Sequence, residues 1–168
     1  HWTRKRCPPT INGAQDCLGG SGYVSNSTLP RLYRQAPLNS IWEGSVNIQC
    51  LDVLRSLAKE PETRDALFGE LLGAKGAHPD YDRELVWLMK AFDDKATIET
   101  RSRYVVERAA LALQAVTLLR AGNRMVADAF CASRLGGQHG LAFGTLHAEA
   151  PMKALIERAA PAAAKPSA

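Results

Sequence analysis

Glu43 stands between Trp42 and Gly44, two residues before a serine that suits a helix start. A carboxylate beside an aromatic ring at a helix mouth loses water, rises in pKa and can then act as a general base. A solvent-facing glutamate fits the same run, Ile41-Trp42-Glu43-Gly44-Ser45, and Trp42 by itself reads as a core aromatic. Gly19-Gly20-Ser21-Gly22 is a second candidate. Glycines let a backbone approach a phosphate, and they also simply make turns. The run is no dinucleotide fingerprint and no P-loop, because no strand precedes it and no Gly-Lys-Ser/Thr follows. His1, His78, His139 and His147 lack metal-ligand spacing, so no metal site is assigned. Cys7, Cys17, Cys50 and Cys131 form no C-x-x-C pair and are read as free thiols of a reducing, cytoplasmic compartment.

Helix-period patterning surrounds these residues, and no segment alternates at period two. An all-α chain without a sheet is therefore expected. Ser45 is placed as an N-cap, and the following helix carries Ile48, Leu51, Leu54 and Leu57 on one face until Pro61 stops it. A second helix is expected over 62–72, ended by Gly73, and a third over 79–92, with Tyr81, Leu85, Leu88 and Phe92 at helical spacing. The longest runs over 97–120 with a broad apolar face (Ile98, Val105, Ala109, Ala112, Val116, Leu119), as a central helix packed on several neighbours would. Short helices follow at 124–134 and after Pro151, with Met125 and Met152 read as core. Residues 18–29 read as a long ordered loop, with Pro30 opening a short helix.

The chain has 168 residues, 46% hydrophobic and 23% charged, which is ordinary globular composition. Its longest apolar run, 109–119, falls short of the roughly 18 residues that a membrane span needs. Net charge is uneven. Residues 1–50 hold five Lys/Arg against two Asp/Glu, residues 51–100 seven against eleven, and residues 101–168 nine against four. The last segment, +5 and rich in arginine, could meet duplex DNA or a CoA phosphate through residues such as Arg120, Arg124 and Arg134, or could be a solvated helix face. The chain opens on His1 in mid-pattern without an apolar leader, so it is expected to be the C-terminal piece of a longer protein.

Three runs carry a family resemblance. They are Asp16-Cys17-Leu18-Gly19-Gly20-Ser21-Gly22-Tyr23, then Pro30-Arg31-Leu32-Tyr33-Arg34, then Asn39-Ser40-Ile41-Trp42-Glu43-Gly44-Ser45-Val46-Asn47-Ile48-Gln49. In order and spacing they resemble the C-terminal domain of the acyl-CoA dehydrogenase family. With Cys50-Leu51-Asp52-Val53-Leu54-Arg55 they look closest to its DNA alkylation-response, AidB-like branch. The specific likeness covers residues 1–58. The resemblance implies 1–60 as the end of the family's helical bundle and 61–160 as a helical C-terminal extension, while residues 161–168, P-A-A-A-K-P-S-A, read by composition as a disordered tail.

The resemblance also implies an FAD-dependent oxidoreductase in which Glu43 removes the α-proton of an acyl-CoA thioester. Gly44 would lie against the thioester, and Trp42, in place of the family's tyrosine, would fill part of the acyl pocket. Ser45, Val46 and Asn47 would meet the flavin cofactor at a helix N-terminus. Asp16, Cys17, Leu18, Gly19 and Gly20 would reach FAD across a subunit interface in a dimer, or a dimer of dimers. The branch further implies duplex DNA as an alternative partner. By itself, the piece is expected to act only as a helical assembly module.

Overall fold

The computed structural model describes residues 1–42 and 45–161. The expected tail thus lies, but for Pro161, outside the described residues, as do Glu43 and Gly44. Among the described residues there are nine α-helices and no strand: α1 Trp2–Leu18, α2 Gly20–Tyr23, α3 Leu29–Gln35, α4 Val46–Lys59, α5 Pro61–Leu72, α6 Pro79–Asp93, α7 Ser102–Arg120, α8 Arg124–Phe130 and α9 Met152–Ala159. A 3-10 turn, Ala36–Ser40, follows α3, and a π-helical turn, Cys131–Leu135, follows α8. One isolated bridge joins His139 and Leu146. The all-α expectation holds, and no described helix is long and apolar enough to cross a membrane.

The core is built where the helical spacing is strongest. Tyr81, Leu85, Leu88 and Phe92 of α6 are all buried. They face Val105, Ala109, Ala112 and Val116 of α7, with Leu71 of α5 and Cys131 of the π-helical turn completing the cluster. Each such large side chain contributes about 1.5–3 kcal/mol on leaving water. Phe68 of α5 meets Phe92 edge to face at 5.7 Å between ring centres. The Tyr81 hydroxyl donates to the Leu71 carbonyl at 2.6 Å, satisfying an acceptor in the last turn of α5. Helix α7 packs on α4, α5, α6, α8 and α1, so its broad apolar face has the several neighbours that it called for.

Four expectations need correction. First, the buried face of α4 is Val46 and Cys50, with Leu54 and Leu57 half-buried, while Ile48 and Leu51 point outward. Val46 and Cys50 close on Val106 of α7, and that contact sets the helix rotation. Second, α7 begins at Ser102, five residues later than expected. The Asp94 carboxylate accepts from the Thr97 hydroxyl at 2.6 Å and from Arg101 at 2.7 Å, and this local network holds the intervening residues in turns. Third, residues 18–29 hold the end of α1, all of α2 and the first residue of α3 instead of a continuous loop. Fourth, Met152 is exposed, since α9 lies on the surface.

The first helix was not anticipated at all. Pro8 and Pro9 lie inside α1, and none of its residues is buried. A Lys5 Nζ–Ser40 Oγ hydrogen bond of 3.3 Å ties its first half to the 3-10 turn.

Candidate functional site

Two motif segments frame α1. At its C-terminal end the chain reverses at Gly19, whose φ of +56° is left-handed and whose N–H donates to the Asp16 carbonyl at 3.1 Å. Gly22 is buried against Gln15: a side chain there would begin 2.5 Å from the Gln15 carbonyl oxygen. The Gln15 amide locks the turn by donating to the Gly22 carbonyl at 3.0 Å. Asp16, Cys17, Leu18, Gly19 and Gly20 are all exposed along this reversal. Part of the glycine run is therefore turn geometry, and the remainder is backbone presented outward.

The second segment lies near the other end of α1. Trp42 is 76% exposed, so it is not a core aromatic. It lines an open cavity of about 410 Å³ with Thr3, Arg4, Cys7 and Asn39. Ser45 has extended backbone (φ −64°, ψ 155°) and precedes α4 as its N-cap. The first main-chain bond of α4 runs from Gln49 N–H to the Ser45 carbonyl at 3.1 Å. The N–H groups of Val46, Asn47 and Ile48 thus have no partner within the helix, and the Ser45 side chain caps none of them. The Val46 side chain is buried inward, so this residue can offer only its backbone to a ligand, whereas Ser45 and Asn47 are exposed.

The two segments do not meet within one chain. From Arg4, beside Trp42, to Gly19 is most of the length of α1, roughly 20 Å at helical rise. Both are surrounded by exposed large apolar side chains: Leu18 and Tyr23 at one end, Ile41 and Ile48 at the other. Such a display marks a surface built to be covered.

The arginines suggested for nucleic acid have three different surroundings. Arg120 pairs with Glu70 of α5 at 2.6 Å, and Arg124 pairs with Asp128 of its own helix at 2.8 Å. Arg134 is partly buried, and that burial, together with the nearby charge of Arg6, pushes its pKa below the ordinary arginine range. One polar residue escaped the sequence reading: the His78 ring caps α6 by accepting from Asp80 N–H at 3.1 Å. Its position just before Pro79 at a helix start was the available signal.

The sequence is similar to those of known proteins. Residues 6–58 match the family described as "Acyl-CoA dehydrogenase, C-terminal domain". AidB of Escherichia coli (strain K12), which is named for acyl-CoA dehydrogenase, is 37% identical over 137 residues, covering 82% of this chain and 25% of that protein. Acyl-CoA dehydrogenase family member 11 of Caenorhabditis elegans is 43% identical over 51 residues, covering 30% of this chain and 8% of that protein. The chain thus spans about a quarter of the length of AidB and less of the other relative. By these matches and its helical fold, the chain belongs to the acyl-CoA dehydrogenase family as an AidB-like C-terminal domain.

Proposed function

We propose that this chain is the C-terminal piece of an FAD-dependent acyl-CoA dehydrogenase-like flavoprotein, with Glu43 as the base that takes the α-proton of an acyl-CoA thioester. The observation that carries the reading is the helix entry at Ser45. Three first-turn N–H groups of α4 have no intrahelical acceptor there, and the helix dipole adds positive potential. This donor set fits the anionic pyrophosphate of FAD. When bound, FAD supplies the acceptor for the β-hydride. In this reading Ser45, Asn47 and the Val46 backbone hold the cofactor, Gly44 gives the thioester close access, and Trp42 limits the acyl pocket. The exposed Asp16–Gly20 reversal serves the cofactor of a second subunit, because it lies at the far end of α1 from Trp42.

The assembly is accordingly a homo-oligomer, a dimer or dimer of dimers, with its sites shared between chains. Residues 1–60 form the flavin-facing part and residues 61–160 a supporting extension. The unpaired state of Cys7, Cys17, Cys50 and Cys131 supports a reducing, cytoplasmic setting.

The test uses the full-length parent. Its flavin absorbance should bleach with an acyl-CoA, and a Glu43→Gln variant should keep bound flavin while losing that bleaching. Unchanged bleaching in the variant removes Glu43 as the base. Absence of flavin in the parent removes the cofactor assignment. Duplex DNA on the basic C-terminal segment is the second reading, supported by the +5 charge of residues 101–168. It stands behind the first because Arg120 and Arg124 already face carboxylates.

A further inference from the structure

Seven arginines (Arg55, Arg64, Arg83, Arg101, Arg108, Arg120 and Arg124) each have a carboxylate partner. Arg134 has none among the described residues, although it is partly buried at the end of the π-helical turn. It lines a cavity of about 330 Å³ whose other walls are mainly apolar: Phe143, Leu146, Met152, Leu155 and Ile156. Met152 and Ile156 of α9 are 45% and 70% exposed, so part of this wall is an uncovered apolar surface.

A second arginine approaches from α1. The Arg6 guanidinium lies 5.0 Å from the centre of the Phe143 ring and 5.6 Å from that of Trp2, and it too has no carboxylate partner among the described residues. The aromatic faces hold its charge without neutralising it. Arg6 is close enough that its charge, after burial, lowers the pKa of Arg134. Phe143 itself is carried on a segment folded back on itself, where Thr145 Oγ1 accepts from Gly140 N–H at 2.9 Å and donates to the Ala142 carbonyl at 2.7 Å. The Arg6 guanidinium stands over the Phe143 ring, Phe143 and Arg134 line the same apolar cavity, and neither arginine has a counter-charge among the described residues. A bidentate anion would supply it.

We propose that Arg134 and Arg6 bind the carboxylate or phosphate head of a short amphiphile whose apolar body enters the cavity between Phe143 and α9. The site lies outside the helix entry at Ser45 and does not depend on the flavin reading. Its charge is a cost to the empty chain and a benefit to the liganded one, and the two effects separate in experiment.

The 168-residue chain is titrated by calorimetry with octanoate, octyl phosphate, octanol and inorganic phosphate, and melted in the presence of each. Octanoate or octyl phosphate should bind and raise the melting temperature, and the tighter of the two identifies the head group. Octanol and inorganic phosphate should bind at least tenfold more weakly. Arg134→Leu should melt no lower than the parent chain, because it removes an uncompensated charge, yet lose at least tenfold in affinity. Ile156→Asp, which puts a negative charge on the apolar wall, should also weaken binding tenfold, and it carries the test if Arg134→Leu fails to fold.

Absence of binding by both amphiphiles overturns the proposal. So does octanol matching octanoate, which leaves the arginines without a role. Inorganic phosphate matching octyl phosphate does the same, since it reduces the site to a general anion contact of the kind a nucleic-acid backbone makes. An Arg134→Leu variant with a lower melting temperature and unchanged affinity makes the residue structural and ends the proposal.

Discussion

Glu84 is buried on α6, and both of its carboxylate oxygens accept from Arg108 of α7. Arg108 also donates to the Arg134 carbonyl at 3.1 Å, so one guanidinium ties α6, α7 and the π-helical turn together. Nothing in the sequence announces this pair: 24 residues separate the partners, and either one alone reads as a surface charge. Glu84→Ala should destabilise the chain by about 3–5 kcal/mol in urea unfolding, because it leaves Arg108 partly buried and unpaired. The double replacement Glu84→Leu with Arg108→Met should recover much of that loss. If the double variant is no better than the single one, the cost is packing and not an orphaned charge.

Asp94 is the opposite case, a local network between near neighbours. The Thr97 hydroxyl, then its backbone N–H and the Arg101 charge, hold the carboxyl below its ordinary value of 3.8. A depressed folded pKa stabilises above the unfolded value and is lost as pH falls through the folded one. The contribution should therefore be complete above about pH 5 and fade in acid. Thr97→Val should move the Asp94 carboxyl back toward 3.8 in an NMR titration. An unmoved titration would mean that the network does not form in solution.

At the scale of elements, legibility followed burial. Helix α6 was readable to within a residue because Tyr81, Leu85, Leu88 and Phe92 all turn inward within this chain. Helix α1 was unreadable because it buries no residue here and carries Pro8 and Pro9, the usual signs of a break. The face of α4 was misread for a related reason. Ile48 and Leu51 are apolar yet exposed, and periodicity cannot say which of two apolar faces meets the chain's own core. The glycine turn was legible as a turn, and the cofactor role proposed for it comes from the family resemblance alone.

The α5–α6 contact offers a quantitative check on how these elements dock. Tyr81 is fully buried, burial drives its pKa well above the ordinary tyrosine range, and its hydroxyl has the Leu71 carbonyl as acceptor. Tyr81→Phe keeps the ring but removes the donor. It should cost about 1 kcal/mol by denaturant unfolding, with an unchanged denaturant slope. A loss near zero would show that the Leu71 carbonyl finds enough in its longer contact with Ala74 N–H at 3.5 Å.

Taken whole, the molecule is a well-packed α5–α7 centre that carries a poorly buried N-terminal arm, and the motifs with chemical promise lie on or beside that arm. Such an arrangement is costly for a free-standing domain and sensible for a piece whose neighbours complete it. Hydrogen exchange separates these views. In the isolated chain, amides of α6 and α7 should exchange only through global unfolding, and those of α1 through local opening at much lower free energy. In the flavin-loaded parent, protection should rise at two places together. One is the backbone from Gly19 to Ser21; the other is the first turn of α4, Val46 to Ile48, whose N–H groups have no helical acceptor of their own. Joint protection is the signature of two chains closing on one cofactor, because the segments lie at opposite ends of α1. Protection of the α4 turn alone would keep the anion site and remove the shared one. An α1 as protected as α7 in the isolated chain would mean that the arm is stable by itself, and the exposed apolar residues around it would then need a different explanation.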